Sequence, residues 1–453
     1  MKNKCSLLCA ALLPLSFSAT SLAQAVTSTA PVEQQEDIGA YSLKGSTLKA
    51  PSTTAQPTPA ALYQLSGTSI SGVSTTSGVM LTAPVPPGAM AYKTESGVYF
   101  YPTAFVGYGY NDNVISDASS TVGSSFTNFA PQVVAELKHK GDRFTLLASL
   151  DAMRYANSAS DNVNNADVEL AGDHYFSSRA RAAWSVGQVN GSDPRGTTYY
   201  KSSTEPDRWH TTNLNGRIAY GAVEAPGRVE FDLGNQVKTY DNNRDVMAIA
   251  DLTLDSFAAR GFYRLGTRSL ALVEFRQAKA NYASSLSTDS NTERRYYAGL
   301  TWEATAATTG IVKIGQMTKD FDNSGRAGFS GGSWEASIRW LPQTYSAFDL
   351  RTSRSTADAT GYGNYNLNTS TDLSWNHKWT QSLSSRISAG VLNTEFGGTS
   401  RKDTANNVAL TVDYAVLRWL KIGIDLASTD NSSSIPTWSY KRNVTMLTLN
   451  ASL

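Results

Sequence analysis

Gly328-Phe329-Ser330-Gly331-Gly332 has the G-x-S-x-G form that presents a serine nucleophile on a sharp turn. That chemistry needs a strand-to-helix turn under the serine, with an acid and a histidine later in the chain to take the hydroxyl proton. No helical periodicity follows the motif, and the histidine after it, His377, falls at the opposite end of the strand pattern described below. A glycine-rich hairpin loop explains the residues more simply. His139, His174, His210 and His377 are scattered, with no second histidine, cysteine or carboxylate at ligand spacing, so no metal site is expected. His210, between Trp209 and Thr211, lies near a rim of the kind where barrel enzymes keep Ser and His, but alone it reads as a solvated loop residue. The sequence therefore predicts no catalytic residue, no cofactor and no enzyme.

Charged side chains offer a different chemistry. Arg179, Arg181, Arg217 and Arg228 come from three consecutive segments and would form a basic wall. Glu136, Asp151, Asp167, Glu169 and Asp173, from the segments just before, would form an acidic one. Two such rows facing each other would set a transverse field across a pore. The alternative is that neighbouring signs pair across strands and fill the interior. Glu335, Arg339 and Asp372 lie on polar faces of later segments and join the candidate lining. Tyr297 also turns inward by alternation, where its ring could stack on a sugar.

The elements that must position these residues have period two from Gly97 to Leu453. Tyr365, Leu367, Thr369, Thr371, Leu373 and Trp375 fall on one face, while Asn364, Asn366, Asn368, Ser370, Asp372, Ser374 and Asn376 fall on the other. Val229, Phe231 and Leu233 oppose Arg228, Glu230 and Asp232 in the same way. A strand with one polar and one apolar face separates two solvents. About eighteen such segments start near residues 97, 127, 143, 165, 179, 209, 227, 247, 268, 293, 309, 328, 345, 363, 382, 404, 419 and 440. Short turns such as Lys140-Gly141-Asp142, Ser177-Ser178, Gly266-Thr267 and Pro342-Gln343 alternate with longer loops near 111–125, 156–164, 189–207, 281–292 and 430–438. Tyr99, Tyr101, Trp184, Tyr220, Tyr296, Trp302, Trp340, Trp375, Tyr414 and Trp419 stand near strand ends, where rings belong at lipid headgroup level.

These features predict an all-β fold: a transmembrane antiparallel up-and-down β-barrel of about eighteen strands in a Gram-negative outer membrane. Both termini would be periplasmic, because the strand number is even. Lys2, Lys4, an apolar run from Leu7 and Ala23-Gln24-Ala25 form a signal peptide over 1–25. It contains both cysteines, Cys5 and Cys9, so the mature chain would hold no disulfide or thiolate site. Residues 26–95, rich in Ser, Thr, Ala and Pro, read as a disordered periplasmic linker or plug reaching roughly 45 Å. The barrel takes 96–453. Of 39 basic and 38 acidic residues, the leader removes two lysines, leaving a charge near −1 that argues against a nucleic-acid partner.

Gly97 to Tyr110 followed by Asn111-Asp112-Asn113 resembles the opening of the β-barrel porin 2 family. Its closing pattern is matched by Arg401-Lys402-Asp403, a strand ending at Tyr414, Arg418-Trp419-Leu420 and Tyr440-Lys441-Arg442-Asn443. The resemblance implies an outer-membrane channel that exports exopolysaccharide, with a periplasmic polysaccharide-export protein as partner and the polysaccharide as cargo. The residues alone leave two further readings open: a diffusion porin for small solutes, and a structural or plugged barrel of an envelope or biofilm assembly.

Overall fold

The computed structural model describes residues 92–452 apart from 196, 198–202, 223–224, 306–307 and 360. The expected leader, most of the expected linker and Leu453 lie outside the described residues. After the two-residue strand Tyr92–Lys93 come β1 (Val98–Asn111), β2 (Ser124–His139), β3 (Asp142–Tyr155), β4 (Val163–Tyr175), β5 (Ala180–Asp193) and β6 (Asp207–Tyr220). The next six are β7 (Gly227–Tyr240), β8 (Leu252–Gly266), β9 (Ser269–Tyr282), β10 (Asn291–Thr305), β11 (Thr308–Phe321) and β12 (Phe329–Gln343). The last are β13 (Ser346–Asp358), β14 (Tyr365–Lys378), β15 (Leu383–Phe396), β16 (Lys402–Leu417), β17 (Leu420–Ser433) and β18 (Tyr440–Ser452). Each pairs with its chain neighbours, and β18 pairs antiparallel with β1, so eighteen strands close into a barrel. Strands of this length exceed the ~9–11 residues needed to cross a bilayer, and their ends stand beyond it.

Cβ alternation decides which face each residue takes. Leu233, Val273 and Ile314 point outward with 62%, 63% and 65% of their surface exposed, whereas Glu230 and Arg276 point inward with 0% and 1%. Apolar outside and charged inside inverts a water-soluble protein, and lipid is the solvent that makes it favourable. The expected girdle residues gather at the end of the barrel with short turns: Tyr220, Trp340, Tyr414 and Trp419 are exposed there. Tyr296 is the exception, standing in mid-wall against Phe275 at 5.1 Å between centroids. Two girdle indoles also cover cross-strand glycines. A Cβ on Gly172 would lie 2.6 Å from Trp184, and one on Gly310 2.3 Å from Trp302, so the ring occupies the space a side chain would need.

All but one of the expected strand starts fall within three residues of the observed ones. The exception is the start near 247. Arg244–Met247 is a short α-helix followed by a 3-10 turn over Ala248–Ala250, and β8 begins only at Leu252. The apolar run there looks like a strand, but Asp251 pulls the loop back by accepting the Tyr240 N–H at 2.8 Å and the Arg244 guanidinium at 2.7 Å. Met247 and Ala250 are then buried on Tyr240. The turn expected at Pro342-Gln343 moves two residues on, with a register shift between Trp340 and Gln343. Pro342 has no N–H for the ladder, which the irregularity accommodates. Residues 189–193, expected in a loop, complete β5.

The barrel closes where two distant sequence motifs meet. The Asn113 amide donates to the carbonyls of Asp117 and Lys441, both at 2.8 Å, while its Oδ1 accepts the Asp117 N–H. Asp112 accepts the Asn443 backbone and side-chain N–H groups, each at 2.7 Å. Asn111-Asp112-Asn113 thus clasps Lys441 and Asn443 of the last strand. Replacing Asn113 with Ala removes both donors from part-buried carbonyls, at a cost of ~0.5–1.5 kcal/mol per bond. We expect the temperature at which the folded, fast-migrating gel band is lost to fall in N113A; an unchanged midpoint would show that the clasp contributes nothing.

Candidate functional site: the luminal wall

Antiparallel register places inward charges of β6 to β12 directly beside one another. Arg217 stands opposite Asp232, Arg260 opposite both Glu230 and Glu274, and Lys313 opposite Glu335. The contacts form a continuous belt. Arg217 Nε donates to Asp232 at 2.6 Å, and Arg260 bridges Asp232 at 2.7 Å to Glu274 at 2.8 Å. Arg276 continues it from Glu274 at 2.5 Å to Glu335 at 2.7 Å, and Lys313 binds the same two carboxylates at 3.1 and 2.5 Å. Arg295 takes Glu293 at 2.5 Å, and the Thr356 hydroxyl on β13 donates to Glu293. Arg276 and Arg295 are register partners. Such a like-charge pair is ordinarily unfavourable, and here shared carboxylates offset it.

Glu136 accepts from Arg143 and from the Tyr101 hydroxyl at 3.3 Å, and Asp151 accepts from Asn128 at 2.5 Å. Arg181 grips Asp173 through Nε at 2.6 Å and a second guanidinium nitrogen. Arg217 and Glu335 sit in the belt, while Arg228 lies over the Phe262 ring at 4.5 Å beside Glu230. Asp167 and Glu169 are half-buried on the inner face of β4. Arg339 approaches Asp349 at 3.6 Å, and Asp372 faces Arg351. The two rows of opposite sign do not stand apart: Arg181 on the supposed basic wall is bound to Asp173 on the acidic one, so their charges cancel locally. Arg179 is exposed in the turn before β5, where the Ser177 hydroxyl accepts its N–H at 3.2 Å while its carbonyl accepts the Gly221 N–H at 2.8 Å.

Arg260, Glu274, Arg276, Arg295 and Lys313 escaped sequence reasoning. The structure buries all five on the inner face, and nothing local in the sequence marks them as partners. Tyr297 is also walled in at 4% exposure, bonded to Ser333 at 2.7 Å with Arg276 5.1 Å from its ring, which removes it as a sugar platform. Two histidines expected to stand alone meet carboxylates across the chain: His210 binds Asp241 at 2.7 Å and His174 approaches Asp142 at 3.4 Å. Ser330 starts β12 at the loop end, whereas His377 ends β14 at the turn end. Among the described residues, no group of three or more His, Cys, Asp or Glu could hold a metal ion.

The belt is a closed set of buried charges, so removing one member exposes the others. Arg276→Ala strips Glu274 and Glu335 of a shared partner and is expected to cost about 3–5 kcal/mol. Arg339→Ala, at a side chain 39% exposed, should cost at most about 1 kcal/mol. Urea unfolding in detergent micelles checks the ranking, and equal losses would contradict it.

Three solved structures have a similar course of chain. Pseudomonas aeruginosa OpdK with vanillate is 14% identical, with a TM-score of 0.45, over 78% of this chain and 99% of that one. Pseudomonas aeruginosa OccK2 (OpdF) with glucuronate is 11% identical, with a TM-score of 0.47, over 80% of this chain and 100% of that one. Acinetobacter baumannii OccAB3 is 9% identical, with a TM-score of 0.45, over 78% and 99%. These are likenesses of fold alone. No curated relative matches this chain. The family model described as "Putative beta-barrel porin 2" matches residues 97–453, the whole barrel, and the chain belongs to that family of outer-membrane β-barrel porins.

Proposed function

We propose that the chain is a diffusion porin for small hydrophilic solutes, with its short turns and both termini in the periplasm and its longer loops outside. The observation that carries this reading is the closed eighteen-strand wall, apolar outside and polar within. Barrels of ~16–18 strands enclose an aqueous channel rather than a side-chain-filled core. Charges along β6 to β12 are tied to one another, which makes that part of the wall a fixed surface rather than a moving gate.

Export of a polysaccharide with a periplasmic partner is the second reading. It draws on the strip of β14 formed by Asn366, Asn368, Ser374 and Asn376, all buried on the inner face. Amides and hydroxyls suit a hydrated glycan. They suit a small polar solute equally well, and such a solute needs no docking partner, so the porin reading asks for less.

Purified barrel in planar bilayers should give discrete conductance steps in potassium chloride, and deleting the gene should slow small-solute entry while leaving surface polysaccharide unchanged. Silent bilayers would favour a plugged or structural barrel, and lost polysaccharide would favour export. Removing residues 26–91 should leave heat-modifiable migration and conductance intact; loss of either would give that segment a role in the pore.

A further inference from the structure

The inner wall changes character past β12. Arg351 on β13 and Arg386 on β15 make no hydrogen bond and no ion pair within 4 Å among the described residues, and the Nε of each is buried without a partner. This contrasts with Arg181, Arg217, Arg260, Arg276 and Arg295, each of which is tied to a carboxylate. Arg386 lies between neutral register partners, Asn376 on one side and Thr411 on the other. Arg351 has Asp372 opposite it, outside ion-pair distance. Arg339 completes the group: its charge is met at 3.6 Å by Asp349, which stands two residues before Arg351 on the same face of β13. Asp349 is held in turn by the Asn376 amide at 3.0 Å.

Three guanidinium groups and two carboxylates leave an excess of one positive charge. Neither Arg351 nor Arg386 has a hydrogen-bond or ion-pair partner among the described residues, each residue is only partly buried, and the Arg339 side chain is 39% exposed. A guanidinium fork matches a carboxylate through two parallel N–H···O bonds. The excess of one selects a monoanion, since a second negative charge would be repelled by Asp349 and Asp372. Because Asp372 tempers Arg351 and water screens the site, a solute is held and then released, as transit requires.

We propose that Arg351 and Arg386, with Arg339 behind them, form a transit subsite for the carboxylate of a small, singly charged organic acid. The inference rests on the porin reading and names one solute class for it.

Single channels of the full chain in potassium chloride, with potassium benzoate added, test it. Wild type should favour anions and show benzoate-dependent current interruptions. R351Q/R386Q should lower the anion-to-cation permeability ratio severalfold, to as much as the tenfold that one charge-assisted bond supports, and should abolish the interruptions. R351K/R386K keeps both charges without the fork, so it should keep the permeability ratio yet lose the interruptions. R208Q, at the loop rim, should match wild type. Conducting R351Q/R386Q channels with wild-type ratio and interruptions would overturn the subsite and leave the porin standing. Wild-type bilayers without steps would overturn both. Heat-modifiable migration of each variant shows that it has folded.

Discussion

Inside a bilayer a peptide N–H or C=O that misses its partner has no water to turn to, so a sheet in lipid must close on itself. That constraint concentrates on one seam, where the first strand meets the last. Among the described residues, register between β1 and β18 runs from Asn111 with Val444 to Thr103 with Ser452. The start of β1, before Thr103, lies beyond that register. The chain covers part of it: Tyr92 pairs with Phe100 and Lys93 with Tyr99, and the Thr94 hydroxyl caps the reversal that joins them by accepting the Val98 N–H. At the other end of the seam, Asn113 and Asp112 hold Lys441 and Asn443. A segment before the barrel and a loop after its first strand thus both reinforce the seam.

Closure also sets the electrostatics of the lumen. Once eighteen inner faces point at one space, every charge on them stands near others, away from bulk water and beside a low-dielectric wall. Along β6 to β12 the response is pairing, with Glu274 shared by Arg260, Arg276 and Lys313. Beyond β12 the same geometry leaves Arg351 and Arg386 unmatched. One barrel thereby has a neutralised sector and a sector whose guanidinium groups lack a protein partner among the described residues, and the second is where a solute finds one.

Much of this fold is legible in the sequence because a strand writes its two solvents into alternate residues. Tyr365 to Trp375 shows it, and the strand starts follow closely. The exceptions have local physical causes that alternation cannot signal: Asp251 draws 241–251 into a helical loop, and Pro342 displaces a turn. The function was less legible. Polysaccharide export rested on a resemblance that included Asn111-Asp112-Asn113 and Tyr440-Lys441-Arg442-Asn443. In the structure those two motifs meet at the seam, so these two report how the barrel closes and say nothing of its cargo.

The sequence by itself determined the strands, their inward and outward faces and hence the closed barrel, because side-chain direction along a strand depends only on position within it. It also determined that inward charges are many. Which charges meet was decided by tertiary structure alone. Arg276 and Glu335 lie 59 residues apart, and Asn113 and Lys441 lie 328 apart. Their contact depends on inter-strand register and on closure of the sheet, which add up over the whole barrel. The same long-range geometry, and nothing in the residues around them, left Arg351 and Arg386 free.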